Sequence, residues 1–316
     1  MKTIAAVNLS TNEKNIDFQV RFLENDFHII HIKTENDMDK VARVLKKWED
    51  RADALAIENL RLPFQTDLDF QTDLDGLPDQ ADYKLSELAG FFKKPLSIGQ
   101  SMLMACQQWT FDEIQRDYGE RFFYNSQILF TSGMADVNIA NNLIEYSDDL
   151  KFCDPLLSAG IPKILHSMED LKLFAAYAYP VTERICIRKI AIRTFFINAF
   201  NRRLLFNSIK RADVIVVPHY CFFEHIGDCG IDQLDGKTVI SGALSNERLN
   251  FLKQRGVRLI IDVIPKMLGK VIGPATLESM IMIASDGGKN IPTQPEIKKI
   301  IRDLSAEPRV IFPFGK

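Results

Sequence analysis

The feature that most constrains this chain is an alternation: short apolar runs recur along it, and segments of helical periodicity lie between them. Parallel strands cannot be joined by tight hairpins. Each needs a crossover, usually a helix, so strand and helix signals in turn predict an α/β protein with mostly parallel strands. KTIAAVNL (2–9), FHIIHIK (27–33), ADALAIENL (52–60) and KPLSIG (94–99) read as strands. Between the second and third, DMDKVARVLKKWED places Val41, Val44, Leu45 and Trp48 at helical spacing with charges on the other side, the pattern of a covering helix. A second series starts near residue 126 with SQILFTS, DLKFCD, ADVIVVP, GKTVISG and VRLIIDVIP. SNERLNFLKQRG begins at a cap, Ser245, and stops at Gly256, so it predicts a short crossover helix. The expected fold is α/β in two lobes. A smaller N-terminal α/β lobe spans 1–125, and a larger, mostly parallel sheet spans 126–288 with an insertion at 171–211. The amphipathic C-terminal segment, 289–316, is expected to pack back on the first lobe.

Composition excludes some classes. At 316 residues the chain exceeds what one small core organises, and 46% hydrophobic with 26% charged residues is the balance of a folded soluble protein. A formal net charge of −3 gives no overall attraction to nucleic acid. Five cysteines, an odd number, scattered from 106 to 229 read as reduced thiols, and so as a cytoplasmic chain. The opening MKTIAAVNL is too short for the apolar region of a signal peptide, and Arg and Lys interrupt every stretch greasy enough to suggest a membrane span. FQTDLD occurs twice in succession at 64–75; its aspartates lack the closing Glu of a calcium loop and read as a solvated acidic loop.

LFTSGMADVNIANNL, 129–143, has the form of a strand, a tight turn at Gly133 and a helix start. Unpaired N–H groups at such a turn suit a phosphate, which makes Thr131, Ser132, Gly133, Met134 and Ala135 candidates for holding the pyrophosphate of NAD or NADP. Asp154, at the end of the next strand, stands where an acid would bond the ribose and prefer NAD. A plain βαβ unit has the same layout, and Asp136 would face the phosphates with the wrong sign.

His219, Cys221, His225 and Cys229 are clustered after ADVIVVP, but they lack the distant second pair of a zinc site, so no metal is expected. Their position past a strand end makes His219 and Tyr220 the candidates for substrate contact or proton transfer. The segment 171–211 is basic and aromatic, with Arg184, Arg188, Lys189, Arg193, Arg202, Arg203, Lys210 and Arg211 set among Phe195, Phe196, Phe200 and Phe206. It reads as a core or homodimer surface, or, over 181–211, as a peripheral contact with membrane or lipid.

From 151 onward CDPLLSAGIPKIL, RADVIVVPHYCFFEHI, LDGKTVISGALSNERLNFLKQRGVRLIIDVIP and GKVIGPATLESMIMIA together resemble the bacterial family of quinate 5-dehydrogenases, related in layout to shikimate dehydrogenases. The resemblance is carried mainly by 151–285. It implies a substrate lobe, a Rossmann-like lobe for NAD(P), a C-terminal helix returning to the first lobe, and a region around Gly273 closing over the nicotinamide. The expectation is an NAD(P)-dependent oxidoreductase for a small hydroxy or oxo compound or an acyl substrate. The alternative is a non-catalytic Rossmann-like protein that binds a membrane, lipid or protein partner.

Overall fold

A computed structural model describes residues 1–9, 15–34, 37–58, 92–181, 194–218, 221–264, 272–286, 290–304 and 309–313. The chain is mixed α/β, with two sheets of mostly parallel strands in two compact units.

The first unit comprises the described residues of 1–62, 73–109 and 264–307. Its strands are β1 (Lys2–Asn8), β2 (Ile16–Phe22), β3 (Asn25–Lys33), β4 (Ala54–Glu58) and β5 (Leu96–Ser97), in the order β2-β3-β1-β4-β5. Only β2 runs antiparallel to its neighbour. Because β1 is covered on both faces, its apolar residues divide by parity. Ile4 and Ala6 join Trp109, Met280 and Ile301 on one side; Ala5 and Val7 join Val41 and Leu45 of the helix Met38–Trp48 on the other. That helix starts where Asp37 accepts a hydrogen bond from the Lys40 amide at 3.0 Å, the usual cap for otherwise orphaned N–H groups. The opposite face is covered by the helices Gln100–Tyr118, Pro274–Asp286 and Gln294–Asp303.

The second unit comprises the described residues of 110–263 and 308–316. Its strands are β6 (Ile128–Phe130), β7 (Leu150–Phe152), β8 (Val214–Val216), β9 (Thr238–Ser241), β10 (Leu259–Asp262) and β11 (Arg309–Ile311), in the order β11-β10-β9-β8-β6-β7. All pairs are parallel except β10 with β11. The chain begins this sheet at β6, steps outward to β7, then returns past β6 to β8, so the β6/β8 boundary is the topological switch point. In such sheets ligands bind outside the carboxyl ends of the strands at that boundary.

The expected boundaries need correction. Residues 272–286 do not belong with the second sheet: Ala275, Leu277, Met280 and Ile281 bury against Ile4, Ala54 and Ala56 of the first. The C-terminal segment is divided, because Ile297 and Ile301 enter the first unit's core while β11 pairs with β10 in the second. Of the insertion, 182–193 lies outside the described residues. The helix Thr194–Arg211 crosses from β7 to β8 and buries Leu205 and Ile209 against Ile215 and Val239, so part of its apolar character is core. Among the described residues no helix is long and apolar enough to cross a membrane.

Candidate functional site

β6 ends at Phe130, and its chain turns through Thr131–Asp136 into the helix Val137–Leu143. Gly133 is required by packing. A Cβ there would lie 2.3 Å from Cδ1 of Phe152 and 2.8 Å from Cδ2 of Leu171, and Phe152 itself stacks on Phe130 at 5.1 Å between centroids.

Asp154 occupies the N–H groups of this turn. Its carboxylate accepts from the Gly133 amide at 2.8 Å, the Met134 amide at 2.9 Å and the Ser132 hydroxyl at 3.1 Å. It is 1% exposed. Burial pushes its pKa up to about 6 against the opposing pull of these hydrogen bonds. Two expectations are therefore corrected. Ser132, Gly133 and Met134 spend their donors on a carboxylate of the chain itself, and Asp154 faces the turn rather than a ribose. Thr131 is also committed: its amide and hydroxyl donate to the Val216 carbonyl at 3.0 and 3.2 Å. Ala135 is half-buried within the turn. Gly273 belongs to the first unit, where the Glu58 carboxylate sits 2.3 Å from where a Cβ would stand; it is a glycine for Glu58, not for a nicotinamide.

Beside the turn is a group that sequence reading named only as an obstacle. Asp136 holds the N-cap position of Val137–Leu143, yet its side chain makes no cap hydrogen bond. It is 7% exposed, and among the described residues its Oδ2 is buried without a partner. Burial, then the charge of Asp154, pushes its pKa up to about 8. A buried polar atom left unpaired costs about 1–3 kcal/mol and calls for a reason.

Across the switch point, His225 Nδ1 lies 2.9 Å from the Thr131 hydroxyl and 3.4 Å from Cys221 Sγ. Since Thr131 gives its proton to Val216, it accepts from His225, which assigns the ring proton to Nδ1 and leaves Nε2 as the ring's acceptor. Thr131 is 0% and Cys221 3% exposed, while His225 is half-buried. His219 and Tyr220 lie outside the described residues. Cys229 is buried, with its thiol pushed up to about 11 by burial. Among the described residues no three metal-ligating side chains come together.

The first unit contains a second polar chain. His31 Nε2 lies 3.0 Å from the Thr276 hydroxyl, which donates to Glu58 at 2.6 Å; Glu58 also accepts from the Thr276 amide at 2.7 Å. Burial raises the Glu58 pKa. The only local sequence signal was an acid ending the buried strand ALAIE, because the partners are separated by 218 and 245 residues.

A family model described as a domain of unknown function (DUF8754) matches residues 103–313, and one described as a domain of unknown function (DUF8753) matches 3–75. Among curated proteins no sequence matches the chain. Similar solved structures include the malic enzyme of Entamoeba histolytica, with 10% identity and a TM-score of 0.41 over 90% of this chain and 58% of that one. The NAD-dependent malic enzyme of Thermotoga maritima has 12% identity and a TM-score of 0.37, over 97% and 85%. A carbohydrate transporter solute binding protein from Agrobacterium radiobacter, in complex with D-arabinose, has 10% identity and a TM-score of 0.40, over 98% and 94%. The chain spans 58% of the Entamoeba enzyme's length.

Proposed function

We propose, for a chain that belongs to the DUF8754 family, that its second unit binds a small hydroxylated compound beyond the carboxyl ends of β6 and β8, met by Asp136 and His225. The observation that carries this reading is the buried, unpartnered Oδ2 of Asp136 at a switch point. A hydroxyl donor would satisfy that oxygen, and a carboxyl pushed up to about 8 holds a proton near neutrality, so it can in turn donate to a hydroxyl or oxo oxygen. His225, held to the Thr131 hydroxyl through Nδ1, is the second side chain assigned to the ligand.

The resemblance over 151–285 points to the ligand class, a cyclic hydroxy acid of the quinate type. NAD or NADP does not fit residues 132–136 with 154. The amides at 133 and 134 are taken by Asp154, and Asp136 adds a second acid where phosphate charge would lie.

The test is thermal unfolding of the full chain with quinate, shikimate, NAD(H) and NADP(H) in separate arms. The hydroxy acids are expected to raise Tm, as a ligand bound only by the folded state must, and Asp136→Asn to abolish the rise. Absence of any rise with hydroxy acids overturns the reading. A rise with a nucleotide alone restores the dinucleotide site.

A second reading, lipid contact through 181–211, is favoured by one specific observation. Leu173, Tyr177 and Val181, spaced by four, are 55%, 47% and 52% exposed, and Phe200 is 58% exposed next to exposed Arg202 and Arg203. Apolar side chains beside cations suit an anionic bilayer surface. Sedimentation with phosphatidylserine vesicles that Arg202→Glu with Arg203→Glu leaves unchanged would remove it.

A further inference from the structure

The second unit contains a cavity of about 400 Å³ at the other end of its sheet, where β6 and β8 begin. Its floor is apolar, formed by Ile128 and Leu129 of β6, Ile164 of the loop after β7, and Leu204 of the crossover helix. Its polar lining is basic: Lys151, Lys163, His166 and Arg211, from three separate elements. Lys151 is answered by Asp149 at 2.9 Å. Among the described residues, neither Lys163 nor Arg211 has an ion pair, and Ser208 also lines the cavity, its hydroxyl donating to the Leu204 carbonyl at 2.9 Å. The nearby acids are already engaged: Asp213 accepts from the Gln127 amide at 2.9 Å, and Asp170 from the His166 amide at 3.3 Å.

We propose that this cavity is a binding site for a small organic anion, a carboxylate or phosphate carried on an apolar body. Its volume falls within the range of small-molecule pockets, which combine an apolar lining with a few convergent polar groups. Lys163 and Arg211 line the cavity with no ion pair among the described residues, and a guanidinium can hold a carboxylate or phosphate with two parallel hydrogen bonds. The apolar floor excludes a bare inorganic ion as the best occupant, because such an ion leaves that surface without a partner.

Calorimetric titration of the full chain with octanoate, phenyl phosphate and inorganic phosphate tests this. Octanoate or phenyl phosphate should bind with a measurable constant and inorganic phosphate at least about tenfold more weakly. Lys163→Ala with Arg211→Ala, both exposed and so compatible with folding, should weaken the organic anion about tenfold or more. Leu204→Glu, which places a charge on the floor, should weaken it with the cations intact. Equal binding of inorganic phosphate, no binding of either organic anion, or undiminished binding by the double variant overturns the proposal. The ligand and the variants differ from those that test the switch-point site, so the two readings fail separately.

Discussion

Asp136→Asn should stabilise the protein at alkaline pH and leave it unchanged in acid. The carboxyl is displaced from an ordinary value of 3.8 to about 8, so the folded state keeps a proton that the unfolded chain has already lost. A raised carboxyl contributes its stability below the unfolded value and forfeits it as pH climbs toward the folded one. At about 1.36 kcal/mol per unit, the displacement amounts to roughly 5 kcal/mol between pH 4 and pH 8, comparable to the whole stability of many domains. Asp154, raised to about 6, falls off in the lower part of that window, and Glu58 and Glu278 are also raised. The interval from pH 6 to pH 8 therefore separates Asp136 from Asp154: there the Asn variant should gain about 3 kcal/mol on the wild type. Both tryptophans, Trp48 and Trp109, lie in the first unit, so fluorescence would watch the wrong half. Urea unfolding by circular dichroism, with hydrogen exchange of the β6 and β8 amides to localise the change, reads the second unit. Parallel loss of stability in variant and wild type from pH 6 to pH 8 would refute the reasoning.

Three further outcomes follow from the same contacts. Gly133→Ala puts a methyl group into the Phe152 ring and should cost about 1–3 kcal/mol in urea unfolding; an unchanged midpoint would show that the turn is loose. Asp154→Ala leaves the amides of 133 and 134 and the Ser132 hydroxyl without their acceptor, a loss of about 2–3 kcal/mol that added formate should partly restore in the variant and not in the wild type. Arg309→Ala removes the guanidinium that pairs with the fully buried Asp262, which also accepts from the Leu244 amide; a loss of about 3–5 kcal/mol is expected, since one partner of a buried ion pair is removed, and Asp262→Asn in the same chain should recover part of it.

Local pattern was enough to locate β1 and β3–β10, because most of these strands are covered on both faces and read as unbroken apolar runs. It missed β2, in which only Phe22 is buried, and β11, whose three residues are all half-buried, because edge strands carry little of the hydrophobic signal. The turn at Gly133 and the acid at 154 were legible as a pair; their relation was not. Spacing places a carboxylate near a set of amides, but whether it turns outward to a ligand or inward to the amides depends on side-chain direction, which no local pattern encodes. The lobe boundary failed for a related reason. The helix Pro274–Asp286 follows β10 in sequence, yet its apolar face matches the first sheet, and periodicity records that a face is buried without recording against what.

Asp154 is one of three buried acids that the chain uses in the same manner. Glu58 accepts from the Thr276 amide at the start of one long helix, and Glu278, on that helix, accepts from the Met102 amide at the start of another and from Ser97. In each case N–H groups that could have received an external anion receive a side chain from a distant part of the sequence, 20, 218 and 176 residues away. Desolvation raises all three carboxyls, so each link is made at a cost that the N–H donors only partly offset. What the links secure is position: they tie helix starts to strand ends across the sheets. Asp136 differs from the three in that, among the described residues, its buried Oδ2 has no donor. A fold that satisfies its other buried acids so consistently isolates this one, and that contrast directs attention to the switch point rather than to the glycine turn beside it.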